Sequence, residues 1–363
     1  MKTKLFLMAA AAAVALVGCG KSPKPAAKDP LAQATPLPSA APASKELNIF
    51  CWSEYIPPSL INRFQQETGI QVTVQNYASN EEMLSKLLAG GSNFDILLPG
   101  EHVVAALVKD GLLHPLDPTK IPNLRNIDPK FLSKGFDAGN KFSVPFMAGT
   151  VGIVVNTEKI PGDIKGFADV FTEANRGKIV VLDDAREIAT WGFFAQGTPI
   201  NRASDEDLKK VRPLLAGWLP LVKVYDSDSP KTALINGDAA IGVVWGGEGA
   251  ILLNEDKKFK WVIPAEGTHL FIDSLVIPKN AKNPGNAEAF MNFLLRPDVS
   301  KEISDAFPYL NPNRAARELL APEQRANPAS FPTDEEIARM QAFEDIGPQA
   351  LKIDEMVTSL KVQ

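Results

Sequence analysis

Residues Leu47–Gly69 read LNIFCWSEYIPPSLINRFQQETG, and this short segment contains the pattern of a strand, a turn and a helix. Ile49 and Phe50 indicate a buried strand, whereas Pro57 and Pro58 cannot continue a strand and are typical of a helix start. Apolar residues then recur at helical spacing up to a glycine stop signal. The turn contains Trp52, Ser53, Glu54 and Tyr55. Open α/β sheets bind ligands beyond the carboxyl ends of their strands, so these four residues are candidate ligand contacts.

The alternation of strand and helix continues along the chain. IQVTVQNY and FDILLP are predicted strands, and SNEEMLSKLLAGG and HVVAALVKDG are predicted helices, the first with Asn80 as its cap. After SVPFMAGTVGIVVN the alternation begins again with GKIVVLDD, and AAIGVVW and HLFIDSLVIP are further predicted strands. This order predicts two α/β lobes, each a doubly wound sheet with flanking helices, separated by a cleft that suits a small molecule.

The amino-terminal segment predicts export. Lys2 and Lys4 precede an apolar run that is too short to span a membrane and is typical of a signal peptide. The run ends in LVGC, which resembles the bacterial lipobox and implies cleavage before Cys19 and acylation of that cysteine. The alternative is ordinary signal cleavage, with Cys19 a chance residue. The Pro-, Ala- and Ser-rich segment that follows predicts an extended tether.

These patterns divide the chain into consecutive segments. We expect a lipoprotein signal peptide over 1–18, a lipid-anchored tether over 19–45, lobe 1 over 46–149, lobe 2 over 150–271, a return to lobe 1 over 272–317, and carboxyl-terminal helices on lobe 2 over 318–363.

Charge and cysteine content narrow the function. The 363 residues carry a formal net charge of −5, which argues against nucleic acid as a partner and suits a cationic ligand. The only cysteines are Cys19 and Cys51, so lipidation of Cys19 would leave Cys51 without a disulfide partner.

Acidic and aromatic residues recur at three further predicted strand ends. Asp184 and Glu187 follow one strand, Trp245 and Glu248 follow another, and Phe271 and Asp273 lie in a third. Asp184 and Glu187 could also be a helix-capping pair. WGGEG, which contains Trp245 and Glu248, could also be a phosphate cradle, but it lacks the lysine and hydroxyl of that motif.

The conjunction of these side chains indicates a cationic ligand. A buried ammonium group requires a carboxylate and good hydrogen bonds, and an aromatic face adds about 0.5 to 2 kcal/mol to its binding. Buried methylenes add roughly 0.8 kcal/mol each. A slot with aromatic walls and acids at both ends therefore matches a linear polyamine.

Several motifs in the same order resemble the spermidine/putrescine-binding proteins of bacterial ABC importers. They are CWSEYIPPSLINRFQQETGIQV, DDARE, VVWGG, IDSLVIP, FLLRPDVSKEISD and YLNPNRAARELL. The resemblance implies a type II periplasmic-binding-protein fold with the ligand cleft at the hinge. It also implies a monomer in the periplasm or at the cell surface, anchored by lipid, that delivers a polyamine to the permease subunits of an importer.

The resemblance also implies roles for individual residues. Trp52, Ser53, Glu54 and Tyr55 match the family's first-lobe ligand segment, and Asp184, Glu187 and Asp273 match acids that hold amines. Trp245 and Phe271 match wall aromatics, and Tyr309 falls where another aromatic residue is expected. His102 departs from the family pattern and would weaken binding as the pH falls towards 6.5. Glu248 resembles an acid of putrescine-preferring relatives, and Phe343 falls where a glutamine is expected.

Other functions remain as alternatives. Asp184 and Glu187 could serve a paired-carboxylate hydrolase, and Cys51 could be a nucleophile, although its strand position favours a buried hydrophobic role. His102, His114 and His269 lack metal-ligand spacing. We therefore expect a binding protein that is not an enzyme and has neither cofactor nor metal. The ligand could also be another cationic amine, and the protein could be a sensor.

Overall fold

The computed structural model describes residues 44–90 and 93–362. The predicted signal peptide, the lipidation at Cys19 and the tether up to residue 43 lie outside the described residues. No helix in the described part of the chain is both long enough and apolar enough to cross a bilayer.

The described residues form nine strands. They are β1 (Glu46–Trp52), β2 (Gln71–Tyr77), β3 (Ile96–Leu97), β4 (Ser143–Asn156), β5 (Ile179–Val181), β6 (Val222–Tyr225), β7 (Ile241–Trp245), β8 (Phe259–Val262) and β9 (Leu270–Val276).

Helices connect and flank these strands. They are α1 (Pro58–Thr68), α2 (Asn80–Leu88), α3 (Glu101–Lys109), α4 (Phe167–Val170), α5 (Ala185–Ala195), α6 (Asp205–Trp218), α7 (Lys231–Ile235), α8 (Gly246–Glu255), α9 (Pro284–Leu294), α10 (Pro297–Ala306), α11 (Arg314–Arg317), α12 (Pro322–Arg325), α13 (Asp334–Ile337) and α14 (Gln349–Lys361). Short 3₁₀ turns lie at Pro122–Asn126, Pro129–Phe131, Glu173–Asn175 and Leu219–Leu221.

One long strand, β4, belongs to the sheets of both lobes. The strand order is β2-β1-β3-β9-β4-β7-β5-β6, and β8 pairs with β4 off this path. In the first lobe β1 runs parallel to β2 and β3, and in the second β5 runs parallel to β6 and β7. Residues 143–150 of β4 pair antiparallel with β9, and residues 151–155 pair antiparallel with β7. The carboxyl ends of β1, β5 and β7 therefore carry loops towards the boundary between the lobes.

The sequence of β4 explains why it can run through the centre of the molecule. Every residue of SVPFMAGTVGIVVN is buried, which suits a strand covered on both faces. Gly149 allows the ring of Phe271 on β9 to approach the β4 backbone closely, because a Cβ at this position would lie 2.5 Å from Cζ of Phe271. The aromatic ring thus lies directly on the strand backbone.

Each lobe has its own hydrophobic core. In the first lobe, residues of β1 and α1 pack against Phe290 and Phe293 of α9. In the second lobe, β5 and β7 pack against α5 and α6, and Ile353 and Val357 of α14 join this core.

The structure confirms most of the predicted elements and corrects three details. Helix α1 begins at Pro58 and ends at Thr68, and its carboxyl-terminal cap is Gly69, which has a φ of 72°. The cap of α2 is Ser79 rather than Asn80, since the Ser79 hydroxyl accepts a hydrogen bond from the Glu82 amide at 3.1 Å. Strand β3 is shorter than FDILLP, and β6 and β8, of four residues each, were not predicted.

Candidate functional site

The turn after β1 places four candidate residues between the lobes. Trp52 packs edge-on against Tyr77 and its indole Nε1 donates to the Leu98 carbonyl at 2.9 Å, which fixes the ring. The Ser53 hydroxyl donates to Asp228 of the second lobe. Glu54 has a positive φ of 50°, a strained conformation for a residue with a side chain and one that recurs at functional sites.

Tyr55 connects this turn to the strand that returns to the first lobe. Its hydroxyl donates to Oδ2 of Asp273 on β9 at 2.6 Å, and both residues are buried. Burial raises the pKa of Asp273 to about 7, and the nearby Glu101 adds to the rise. The hydrogen bond from Tyr55 opposes this rise but does not cancel it. Asp273 is therefore a buried carboxyl whose charged form is poorly compensated by the protein.

Aromatic side chains surround Asp273. The ring of Phe271 lies edge-on to Trp245, with centroids 5.5 Å apart, and 6.1 Å from the ring of Tyr309. Tyr309 also lies 5.8 Å from Tyr55. A Cβ on Gly247 would lie 2.4 Å from Tyr309 Cε2, so the second glycine of WGGEG is required for this ring to fit. The wall predicted from sequence is thus a contiguous aromatic group.

Asp184 and Glu187 are only partly the capping pair that local sequence suggests. Asp184 is the cap of α5, and its Oδ1 accepts a hydrogen bond from the Glu187 amide at 2.9 Å. The Glu187 carboxylate does not return the bond and instead contacts His269. Burial and the neighbouring Glu187 raise the pKa of Asp184 to about 7. Asp184, like Asp273, is an acid without adequate compensation of its charge.

His269 forms a buried bridge between two glutamates. Its Nδ1 donates to Glu187 Oε1 at 2.5 Å and its Nε2 donates to Glu101 Oε1 at 3.0 Å. Burial alone would lower the pKa of His269, but Glu187 and Glu101 raise it to about 10. Burial alone would raise the pKa of Glu101, but the hydrogen bond and charge of His269, the nearby His102 and the Ile272 amide together lower that pKa to about 2. The bridge is therefore an imidazolium between two carboxylates at neutral pH.

The bridge fixes the position of neighbouring backbone. Glu101 lies in the first turn of α3, and its oxygens also accept hydrogen bonds from the amides of Ile272 and Phe343, at 3.0 and 2.9 Å. The ring of Phe343 stacks on His269 with centroids 3.6 Å apart. Glu187 Oε2 is buried and has no hydrogen-bond partner among residues 44–90 and 93–362.

His102 differs from the behaviour expected from its sequence. It is partly buried beside Phe343, and burial lowers its pKa to about 4. Its Nδ1 is buried without a hydrogen-bond partner in the described part of the chain. Because this histidine is neutral above about pH 5, the weakening of binding expected near pH 6.5 would move to lower pH.

Glu54 and Glu248 converge on one lysine. Lys231 Nζ lies 2.8 Å from Glu54 Oε2 and 2.9 Å from Glu248 Oε1. Burial alone would lower the pKa of Lys231, but these two carboxylates raise it. The lysine is therefore charged and links the first-lobe turn to α8 of the second lobe.

Lys231 and Asp228 belong to a segment that contacts the turn after β1 and that the sequence analysis missed. The loop, residues 226–231, follows β6, and Asp226 shapes it by accepting hydrogen bonds from the amides of Asp228 and Ser229. The carbonyl of Ser227 accepts from the Trp245 indole at 2.9 Å. The available signal was the cluster DSDSPK, which would have counted as a fifth strand end had β6 been recognised.

Two of the alternatives raised by the sequence concern Cys51 and a metal ion. Cys51, the alternative nucleophile, is buried, and burial raises its pKa to about 12. Among the described residues, no group of three or more His, Cys, Asp or Glu side chains could hold a metal ion. The site brings together acids and aromatic rings.

Comparisons with known proteins extend over most of the chain. The family described as bacterial extracellular solute-binding protein matches residues 59–333. The spermidine/putrescine-binding periplasmic protein of Salmonella typhimurium is 34% identical over 327 residues, which cover 89% of this chain and 94% of that protein. The putrescine-binding periplasmic protein PotF of Escherichia coli is 32% identical, over 88% of this chain and 90% of that protein.

Solved structures agree with the two-lobe architecture. The spermidine/putrescine ABC transporter substrate-binding protein PotD of Streptococcus pneumoniae is 33% identical, with a TM-score of 0.76 over 88% of this chain and 99% of that chain. The TpPotD lipoprotein of Treponema pallidum is 25% identical, with a TM-score of 0.78 over 88% of this chain and 100% of that chain. The predicted fold class is confirmed by these neighbours.

Proposed function

The chain belongs to the bacterial extracellular solute-binding proteins, and from that premise we propose that it captures a linear polyamine between its lobes and delivers it to the permease of an ABC importer. Two of the similar proteins are named for spermidine and putrescine, and one for putrescine. The proposed mechanism is hinge closure on an unchanged ligand, without covalent chemistry.

The observation that carries the proposal is the position of Asp273 among aromatic rings. Its carboxyl is buried beside Tyr55, Phe271 and Tyr309, and its charge is poorly compensated within the protein. An ammonium group beside it would supply the missing charge, while the rings would cover the methylenes and add cation–π attraction. Asp184 and the unpartnered oxygen of Glu187 offer further acceptors on the second lobe.

We assign the remaining contacts by position. The proposed ligand-binding residues are Trp52, Ser53, Glu54, Tyr55, His102, Asp184, Glu187, Trp245, Glu248, Phe271, Asp273 and Tyr309. Within this set Glu54 and Glu248 are paired with Lys231, so their assignment rests on their place in the wall of the site and not on a free charge. We assign lobe 1 to 46–149 and 272–317, and lobe 2 to 150–271 and 318–363.

The proposed location is the outer face of a membrane. Acylation at Cys19 and the following tether would hold a monomer within reach of its permease partner, in the periplasm or at the cell surface. The similarity to a protein named as a lipoprotein supports this arrangement.

Titration calorimetry of the purified full-length chain tests the function. Putrescine, cadaverine, spermidine and spermine are titrated at two salt concentrations, and butane-1,4-diol serves as the matched control because it keeps the putrescine length without the charges. We expect one-to-one binding of at least one polyamine at micromolar or tighter affinity, no heat with the diol, and full recovery of unchanged ligand. Absence of heat and of a thermal shift with all four amines would refute the proposal.

A further inference from the structure

Lys231 is an internal cation in the candidate site. It begins α7, its side chain is only 14% exposed, and its Nζ contacts Glu54 from the first lobe and Glu248 from the second. A third contact, from Nζ to the Ser229 hydroxyl oxygen at 3.1 Å, completes the three hydrogen bonds that an ammonium group can donate. The lysine is thus held as a bound amine would be.

Both carboxylate oxygens of Glu248 accept hydrogen bonds from Lys231. Its side chain is 3% exposed, Oε1 accepts from Lys231 Nζ at 2.9 Å, and Oε2 accepts from the Lys231 backbone amide at 3.2 Å. A buried carboxylate requires a counter-charge, and Lys231 supplies it from within the same lobe.

Two further acids of the site have neutral partners. Asp273 accepts from the Tyr55 hydroxyl and Asp184 accepts from the Glu187 amide. Neither carboxylate forms an ion pair with a lysine, arginine or histidine within residues 44–90 and 93–362, whereas Glu101 and Glu187 share His269. Asp226 and Asp228 of the loop after β6 also form no ion pair in this part of the chain, but Asp226 accepts two loop amides and Asp228 is exposed. Among the acids assigned to ligand binding, Asp184 and Asp273 are therefore the two without an internal cation.

We propose that Lys231 determines specificity by occupying the Glu54 and Glu248 carboxylates, so that the site accepts the two ammonium groups of a diamine in preference to the three of a triamine. This inference rests on the proposed function and concerns the selection among its ligands. Apart from Asp184 and Asp273, the buried carboxylates assigned to ligand binding already have an internal cation as partner. A third ammonium would therefore meet the lysine charge, and like charges withdrawn from water repel strongly.

The test compares the dissociation constants of putrescine and spermidine by calorimetry in four proteins. These are the wild type, Lys231→Met, which removes the charge, Lys231→Arg, which keeps it, and the control Lys223→Met. Lys223 lies on β6 in the same lobe and forms an exposed pair with Asp238, outside the site. Melting temperatures are recorded for each protein, and Lys231→Gln repeats the test should the methionine variant fail to fold.

Each outcome decides the inference. We expect the wild type to prefer putrescine and Lys231→Met to shift the ratio of the two dissociation constants towards spermidine by at least about tenfold, the value of one charge-assisted hydrogen bond. Lys231→Arg and Lys223→Met should keep the ratio within about threefold.

An unchanged ratio in Lys231→Met, with only a lower melting temperature, would assign Lys231 a structural role and overturn the inference while leaving the proposed function intact. A wild type that binds spermidine more tightly than putrescine would also overturn it. Failure of all the proteins to bind either amine would instead refute the proposed function, and the inference with it.

Discussion

Replacing Asp273 by asparagine should weaken ligand binding and stabilise the protein at the same time. The side chain is 5% exposed, and the asparagine oxygen can still accept the hydrogen bond that Tyr55 donates at 2.6 Å. The substitution therefore removes the charge and little else. A buried charge that only neutral groups compensate should lower the free energy of unfolding of the ligand-free protein.

The pKa of Asp273 gives the magnitude of the effect on stability. A rise of the pKa of this carboxyl from its ordinary value of 3.8 to about 7 corresponds to roughly 4 kcal/mol against the charged form. The native state keeps this proton up to about pH 7 and the unfolded state loses it near pH 4, so the wild type loses stability as the pH rises between these values. Asp273→Asn should lack this loss and be up to roughly 4 kcal/mol more stable than the wild type at pH 8.

The effect on binding has the opposite sign. Loss of one charge-assisted hydrogen bond, roughly 1.5 to 3 kcal/mol, predicts an affinity for putrescine at least about tenfold lower. Calorimetry measures the affinity, and urea unfolding at pH 5 and pH 8 measures the stability. The control is Asp163→Asn, which changes an exposed acid that pairs with Lys165 and Lys260. An affinity within threefold of the wild type, or a variant less stable than the wild type at pH 8, would refute the reasoning.

Three further variants or reagents test the surroundings of the site. His269→Gln should remove a pH dependence of stability that the wild type shows between pH 7 and 8.5. The native imidazolium keeps its proton to about pH 10 and the unfolded one does not, so the free energy of unfolding of the wild type should fall by up to about 1.4 kcal/mol per pH unit. Equal slopes of the two proteins in urea unfolding would contradict this. In a Cys19→Ser protein, Cys51 is the one remaining cysteine, and its burial and raised pKa should make it unreactive in the native state. It should react with a thiol reagent at pH 8 at least about a hundredfold faster in guanidinium than in buffer. Rapid reaction of the native protein would contradict the burial of Cys51. Gly247→Ala should lower the free energy of unfolding by about 1 to 3 kcal/mol, because the new methyl group displaces the Tyr309 ring. The control Gly285→Ala should not, because its methyl group meets no atom within 4 Å. Equal melting temperatures of the two variants would exclude the close approach of the Tyr309 ring to Gly247.

The fold was largely predictable because its signals are local and repeated. Pro58 and Gly69 mark the ends of α1, and the continuous apolar run of β4 marks a strand covered on both faces. The short strands β6 and β8 carry too little periodicity to be recognised, and their existence depends on pairing with distant strands. The sharing of β4 between two sheets is likewise a tertiary property that no local pattern reveals.

The site was predictable as a set of residue types but not as a set of pairs. Strand-end logic identified Tyr55, Asp273 and the aromatic wall, and the structure places them in contact. It could not reveal that Lys231 joins Glu54 to Glu248, because the three residues are far apart in sequence. A pattern of acids indicates a cationic partner without saying whether the ligand or the protein supplies it.

Some acids of the site pair with an internal cation and others do not, and replacing one of each kind by its uncharged amide should change the free energy of unfolding in opposite directions. Glu101 and Glu187 both contact the protonated His269. The pKa of Glu101, about 2, shows that its charged form is strongly favoured in the native state. Glu101→Gln should therefore break a buried ion pair and destabilise the protein by about 3 to 5 kcal/mol at pH 7, whereas Asp273→Asn should stabilise it. Urea unfolding of both variants at that pH measures the two changes. Changes of the same sign would mean that the acids form one continuous network, and that the distinction between acids held by internal cations and acids kept for a ligand is wrong.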